Sequence, residues 1–388
     1  MSYVKHTYTP KLHIETSKEW KPRDLYQVMN KDGELLVKDF TVDKEDTIKL
    51  YSCMVRLHAM DKVFFDAQRQ GRMSFYMTSL GEEAAVIGTA AGYLPQDEVF
   101  AQYREQGVLM WRGFPLQSFA DQLFGNSGDL GKGRQMPVHY GSKALNFQTI
   151  SSPLATQIPQ ASGAAYGFKL SKNGRIVVCY FGEGAASEGD FHAGLNFAST
   201  LGCPVMFICR NNGYAISTPA SEQYHSITGI ADRARGYGMA SICVDGNDVF
   251  AVRDATKQAR EYIASNQSPL LLEVFTYRVG HHSTSDDSTR YRSVEEIEEW
   301  RTGNNPISRV FKFMEKQGWM TAQQDKELKD SERAHVLDAL NQAEKKPKLD
   351  AFSAMFEDVY QEMPLHLQEQ RDTLKKHVDK YPHTFENH

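Results

Sequence analysis

The chain has 388 residues, is 41% apolar and carries a formal net charge of −5. That is long for one compact domain, short for three, and apolar enough for a sizeable core. No basic tract points to nucleic acid, no amphipathic basic stretch to a membrane surface, and no apolar run reaches spanning length.

Residues 1–45 are polar and read as an extended arm, with a turn at Asp32-Gly33. Their start, MSYVKHTYTPKLHIE, has neither a secretory core nor an Arg-rich amphipathic pattern, so no targeting peptide is read there. From Asp46 to Gln70, Leu50, Met54, Leu57, Met60, Val63 and Phe64 recur at helical spacing. Phe75 and Tyr76 read as core aromatics. A second helix, GEEAAVIGTAAGYL, starts near Glu82 and is rich in small residues that allow close packing.

From about 155 to 280 β-rich and helical runs alternate. Strands are expected at Arg175–Phe181, Pro204–Cys209, Ser241–Val244 and Leu270–Val279, with helices at Glu188–Leu201 and Asp248–Ala264. Such alternation predicts a parallel sheet flanked by helices, an α/β fold. Residues 281–304 read as a polar loop, and His139 and His192 as structural. Helices follow at 306–317, after Asn305-Pro306, and at 322–344. The segment after EKKPKLD reads as a tail that packs on a partner or on the domain edge. The division expected is an arm (1–45), an α/β domain (46–304) and C-terminal helices with a subunit-contact tail (305–388). Five cysteines, Cys53, Cys179, Cys203, Cys209 and Cys243, have no metal or redox spacing and read as buried thiols in a reducing compartment.

The most informative stretch is GEGAASEGDFHAGLNFASTLGCPVMFICRNNGY, residues 182–214. One strand ends at Gly182-Glu183-Gly184 and the next at Asn211-Asn212. Parallel strands end on one edge of the sheet, where α/β proteins bind ligands, so Glu183 and Asn212 can converge. A carboxylate and an amide oxygen are hard ligands suited to magnesium, and the glycines and the following helix suit a phosphate. Taken alone, Glu183 serves equally well as a helix cap, Asn212 as a turn residue, and Arg104 and Arg210 as surface ion-pair residues. GEGAAS is a poor dinucleotide fingerprint, because Ser187 replaces its third glycine. GDLGKGR is a poor phosphate loop, because Gly133 follows the lysine.

From about residue 20 to the end, the chain resembles the alpha subunits of branched-chain 2-oxo acid dehydrogenases. The matching stretches include GRMSFYMTSLGEEAA, AQYREQGVLMWRG, ISSPLATQIPQASGAAYG, CYFGEGAASEGD, CRNNGYAISTP and RVGHHSTSDDSTRYRS. The resemblance implies a thiamine-diphosphate-binding fold and decarboxylation of branched 2-oxo acids, with the acyl group passed to a lipoyl arm. It implies a magnesium ion on Glu183, Asn212 and the Tyr214 carbonyl. Gln102, Tyr103, Arg104, Ser152, Leu154, Gly182, Gly184, Ala185, Arg210 and His282 are implied to line the cofactor, with His282 as the catalytic acid/base or oxyanion partner. Ser151, Pro153, Thr156 and Gln157 resemble a potassium site. Ser283 and Ser293 match regulatory phosphorylation positions, which imply a kinase and a phosphatase.

The same resemblance implies a beta subunit that completes the site with its own glutamate, an α2β2 heterotetramer, a lipoyl-bearing acyltransferase core and the mitochondrial matrix. Glu183 stands where the pyruvate-type signature has Asp. The alternatives are the alpha subunit of a pyruvate or acetoin dehydrogenase-type enzyme, a non-catalytic paralogue, and a nicotinamide-binding protein.

Overall fold

A computed structural model describes Pro10, Leu12, residues 21–225 and residues 228–385. The first twenty residues of the expected arm, Pro10 and Leu12 aside, thus lie outside the described residues. The rest of the arm is not free of the domain. Tyr26 bridges in parallel to Val244 at the sheet edge, Val28 and Met29 are fully buried, and the amides of both donate to Asp248 (2.8 and 2.6 Å). The turn at Gly33 has φ +74°, and a Cβ there would stand 2.6 Å from the Phe313 nitrogen. Only glycine meets both demands.

Helix α1 (Lys44–Arg69) starts at Asp43, whose carboxylate accepts from the Asp46 amide. Helix α2 (Glu83–Ala90) is buried throughout. Strand β1 (Glu98–Phe100) and helices α3 (Gln106–Trp111), α4 (Leu116–Phe124) and α5 (Gln157–Ser171) follow. Next come β2 (Val177–Gly182), α6 (Gly189–Leu201) and β3 (Val205–Asn211). A small hairpin, β4 (Tyr214–Ala215) and β5 (Thr218–Pro219), leads to the short helices α7 (Ala220–Gln223) and α8 (Arg233–Gly236). Strand β6 (Ala240–Asp245), helix α9 (Val249–Asn266) and strand β7 (Leu270–Phe275) complete the sheet.

The five strands of the main sheet pair in parallel in the order β1-β2-β3-β7-β6. Alternate residues feed two cores, as strand pleating requires. Val178, Tyr180, Met206 and Ile208 face the larger core, formed with α1, α2, α9 and α12. Cys179, Phe181, Phe207 and Cys209 face the smaller one, formed with α5 and α6. All five cysteines are buried and unpaired.

Two expectations are corrected. The last strand stops at Phe275 rather than Val279, because both of its neighbours end opposite it, β3 at Asn211 and β6 at Asp245; the Thr276 amide makes the last ladder bond, to the Asn211 carbonyl (2.8 Å). Residues 281–304 are not a plain polar loop: a 3-10 turn (Ser288–Arg290), helix α10 (Val294–Glu298) and a π-helical turn (Glu299–Gly303) occupy them. Asp287 and Ser293 cap two of these turns, and Trp300 stacks on Tyr277 at 5.0 Å. The buried Arg292 guanidinium lies over Tyr214, Tyr277 and Tyr291 and donates to the Arg278 and Gly280 carbonyls. Polar and aromatic contacts order this stretch where aliphatic residues are scarce.

Helices α11 (Pro306–Lys316) and α12 (Ala322–Lys345) follow, with an Asn305 cap and a Thr321/Gln324 capping box. The tail is helical: α13 (Ala351–Phe356), α14 (Leu365–Lys380) and α15 (Pro382–Phe385). Its start is pinned by Arg134, which donates to the Ala354 and Glu357 carbonyls. Beyond that, α14 buries none of its residues, and Val359, Tyr360 and Leu365 are exposed.

Candidate active site

The β2 and β3 strands bring their ends together in the expected way, with Gly182 in register with Arg210. Glu183 is buried and accepts from the Asn212 amide at 3.2 Å. Burial pushes its carboxyl up to about 7, while its backbone amide contacts and Arg210 pull the other way. Asn212 turns Oδ1 to the Tyr214 amide (3.2 Å) and donates from Nδ2 to Glu82 (2.9 Å). Gly184 is needed for close approach, since a Cβ there would stand 2.9 Å from that of Ala215 in the hairpin. The helix expected at Glu188–Leu201 is present, with its N-cap at Glu188, and a separate short turn stands between it and Gly184. Ala185–Ser187 forms a 3-10 turn in which the 186–188 amides are spent on the carbonyls of 183–185, and α6 begins at Gly189.

Arg210 is fully buried between two carboxylates. Nη1 donates to Glu82 (2.5 Å) and Nε to Glu105 (2.7 Å). Although burial opposes its charge, these carboxylates hold its pKa above the ordinary value. The second oxygen of Glu105 accepts the Gln102 and Tyr103 amides, both at 2.9 Å, and Gln102 accepts the Gly182 amide at 2.9 Å. The ion pair therefore braces the Gln102–Arg104 turn against the ends of β2 and β3. Glu82 and Glu105 are site residues that sequence reasoning passed over. Their signal was a carboxylate in an otherwise apolar helix start and another beside Arg104.

Arg104 and Arg278 are both buried. Arg104 donates to the Thr78 carbonyl (2.5 Å), to His282 Nδ1 (3.0 Å) and to the His282 carbonyl (2.6 Å). Arg278 donates to His282 Nδ1 (3.2 Å), the Ile216 carbonyl (2.6 Å) and the Tyr291 hydroxyl (2.9 Å), while its buried Nε has no partner. Neither guanidinium donates to a carboxylate in these contacts. Two guanidinium donors on Nδ1 require its lone pair, which puts the ring hydrogen on Nε2. Burial first, then Arg104 and Arg278, push His282 down to about 3, so its imidazole is neutral near pH 7. Asp286 accepts the His282 amide (2.7 Å) and the Tyr291 hydroxyl (2.6 Å), and the Tyr103 ring meets that of His282 edge-on at 6.0 Å.

Ser151, Pro153 and Thr156 come together, since Thr156 Oγ1 lies 3.2 Å from Ser151 Oγ and 3.0 Å from the Pro153 carbonyl. Gln157 sends its amide nitrogen to the Tyr180 carbonyl at 2.9 Å. Leu154 is exposed between them. Ser152 bonds His139 Nε2 at 2.9 Å, so His139, expected to be merely structural, supports this loop. Ser283 is buried, and the exposed Ser293 caps α10. A cleft of about 1060 Å³ runs along the same sheet edge, lined by Asn211, Asn212, Tyr214, Tyr277, Trp300 and Arg309.

Among the described residues, no three His, Cys, Asp or Glu side chains gather as a metal site. A cation beside Glu183 would thus rest on one carboxylate, oxygens of the 212–214 turn and an incoming ligand. The donor set fits such a group. Glu183 is a buried carboxyl without a bonded cation, and Arg104 and Arg278 are buried cations without a bonded carboxylate. A magnesium ion carrying a diphosphate would complement both.

Residues 51–352 match the family described as the dehydrogenase E1 component. The human mitochondrial 2-oxoisovalerate dehydrogenase subunit alpha is 55% identical over 359 residues, which are 92% of this chain and 80% of the relative. The Caenorhabditis elegans mitochondrial subunit alpha is 50% identical over 384 residues, 98% of this chain and 88% of the relative. The Arabidopsis thaliana mitochondrial subunit alpha 2 is 50% identical over 388 residues, covering 97% and 81%. With a parallel α/β sheet whose carboxyl edge carries this constellation, the chain belongs to the dehydrogenase E1 component family, among the alpha subunits of branched-chain 2-oxo acid dehydrogenases.

Proposed function

We propose that the Glu183–Asn212–His282 edge binds thiamine diphosphate and magnesium, and that the chain acts as the alpha subunit of an oxidative decarboxylase of branched 2-oxo acids. The observation that carries this reading is the pair of buried guanidinium groups, Arg104 and Arg278, facing one neutral histidine with no carboxylate bonded to either. Buried positive charge in excess is costly unless an anion completes it. The diphosphate and the 2-oxo acid carboxylate are such anions.

Thiamine diphosphate, when bound, supplies the carbon centre that accepts the 2-oxo carbon and the electron sink for loss of carbon dioxide. The residues of this chain bind, orient and exclude water. Glu183, Asn212 and the Tyr214 carbonyl hold the magnesium. Gln102, Tyr103, Gly182, Gly184, Ala185, Ser152 and Leu154 line the cofactor. Arg210 acts here through its ion pairs with Glu82 and Glu105, which fix the turn carrying Arg104. His282 offers an Nε2–H to oxygen as charge develops there, and its two arginines keep Nδ1 free of a proton. Ser151, Pro153, Thr156 and Gln157 form a potassium site that braces the loop of Ser152 and Leu154.

The partners in this reading are a beta subunit, in an α2β2 heterotetramer, and a lipoyl-bearing acyltransferase core. The setting is the mitochondrial matrix, since the relatives bear mitochondrial names. The exposed apolar residues of the tail, Val359, Tyr360 and Leu365, with Phe356 and Met363, are the surface we assign to a subunit contact. Ser283 and Ser293 are the phosphorylation sites, served by a kinase and a phosphatase. Steady-state turnover by the assembled heterotetramer, read as decarboxylation of branched 2-oxo acids and of pyruvate and as carbon–carbon cleavage of acetoin, tests the substrate class. A preference for pyruvate or acetoin would overturn it.

A further inference from the structure

Asp61 lies inside α1, is fully buried and touches neither the proposed magnesium ligands nor His282. Its Oδ1 accepts from the Tyr76 hydroxyl at 2.8 Å and its Oδ2 from the Ser79 amide at 2.5 Å. That amide belongs to the Thr78–Ser79 peptide unit, whose carbonyl end accepts Arg104 Nη1 at 2.5 Å. One peptide plane is therefore gripped from both sides, by Asp61 on its N–H and by Arg104 on its C=O. The Ser79 hydroxyl adds a second tie, sharing its hydrogen between the Arg104 carbonyl and Gln106 Oε1, both at 3.1 Å.

The other end of the same segment reaches the His282 loop directly. Thr284 donates its amide to the Tyr76 carbonyl (3.0 Å), and Tyr76 donates its amide to Thr284 Oγ1 (3.1 Å). Asp61 thus anchors residues 76–79 at two points, one leading to Arg104 and one to Thr284, and His282 lies between those two connections. Burial pushes the Asp61 carboxyl up to about 8, with Ser79 and Tyr76 pulling it back down. A carboxyl buried this way, with no cation bonded to it, costs stability that a leucine in a helix wall would supply. Its contribution is orientation rather than stability.

We propose that Asp61 is a positioning residue of the active site, setting Arg104 and the His282 loop through the Thr78–Ser79 peptide and Tyr76. The inference rests on the role given to His282 above. The Ser79 anchor needs only an acceptor oxygen, so Asp61→Asn keeps it, the amide nitrogen turning to the Tyr76 oxygen. Asp61→Ala removes both anchors.

The test is hydrogen–deuterium exchange on the cofactor-free heterotetramer, with steady-state kinetics on the loaded enzyme. Asp61→Ala should speed exchange about tenfold or more in residues 76–81 and 281–286 while α9 stays as in the parent. It should also lower kcat by about 10- to 100-fold with KM little changed, since misplacement of a catalytic group acts on the chemical step. Asp61→Asn should restore both. Tyr76→Phe, which removes only the hydroxyl that Asp61 accepts, should show the same local change at smaller size, and it carries the test if Asp61→Ala does not assemble. Parent-like exchange in residues 281–286, faster exchange everywhere alike, or failure of Asn to restore would each overturn the proposal. His282→Ala separates the two levels. If it keeps normal turnover, the reading of His282 fails; if it loses turnover while Asp61→Ala behaves as the parent, only the role of Asp61 fails.

Discussion

Arg104 Nη2 stands 3.0 Å from His282 Nδ1, with the guanidinium donating to the imidazole. With Arg278 on the same nitrogen at 3.2 Å, His282 has one protonation state to work in. It is neutral and donates from Nε2. This makes it a hydrogen-bond donor to developing negative charge rather than a proton acceptor.

The first prediction concerns pH. His282 is ordinarily near 6.5 and lies at about 3 in the folded chain. Between those values the unfolded chain binds a proton that the folded chain does not. This group therefore weakens the fold progressively as pH falls from about 6.5 towards 3. For activity, kcat/KM should have no acid limb near 6.5 that His282→Asn abolishes. Arg278→Met removes the smaller of the two cationic influences and should move the His282 limb up from about 3, with burial and Arg104 still holding it below 6.5. A His282-dependent limb near 6.5 in the parent enzyme would count against the two-arginine arrangement.

The second concerns the buried ion pairs. Glu82→Ala leaves Arg210 short of a partner and frees the Asn212 amide. Breaking a buried pair from one side costs about 3–5 kcal/mol. Denaturant unfolding should show a loss of that size. Glu105→Ala should show a similar one and also loosen the Gln102–Arg104 turn. Near-parent stability in both variants would mean that Arg210 is not held as described.

Much of this architecture is legible in the sequence, and the parts that are not share a cause. The β2-α6-β3 and β6-α9-β7 units follow from alternating apolar runs, and Asp43, Asn305 and Thr321 mark helix starts by local capping chemistry. The convergence of Glu183 and Asn212 follows from parallel strands. Strand β1 is three residues long and gains its place only from pairing with β2. The partners of Arg210, the unpaired charge of Arg104 and Arg278, and the anchor at Asp61 are contacts between distant segments with no periodic signature. The order within residues 281–304 comes from Arg292 among three tyrosines, which composition reads as a polar loop.

The third prediction concerns the partner. The chain by itself should show no decarboxylation of branched 2-oxo acids if, as proposed, the beta subunit supplies the activating carboxylate. Replacing Tyr360 and Leu365 with Ser should weaken assembly, read by sedimentation, while the isolated chain keeps its unfolding midpoint. Turnover by the purified chain alone would remove the shared site.

The fourth concerns the loop. Ser283 is buried and follows His282 directly. A phosphate brings about −1.5 to −2 charge, which that position can accept only if the loop opens or its arginines regroup. Ser283→Glu should abolish turnover and expose residues 281–304 to protease, whereas Ser283→Ala should not. Ser293 already lies exposed at the start of α10, where negative charge is favourable, so Ser293→Glu should have the smaller effect. Equal turnover in the two Ser283 variants would exclude the switch.

The most direct test of the central claim is calorimetric titration of the cofactor-free heterotetramer with thiamine diphosphate, with and without magnesium, in the parent and in Glu183→Ala and Asn212→Ala. If these residues hold the metal, the parent binds only with magnesium present, and each variant loses the magnesium-dependent component because one of few protein ligands is gone. Binding of parent strength in both variants, or parent binding indifferent to magnesium, would contradict the account.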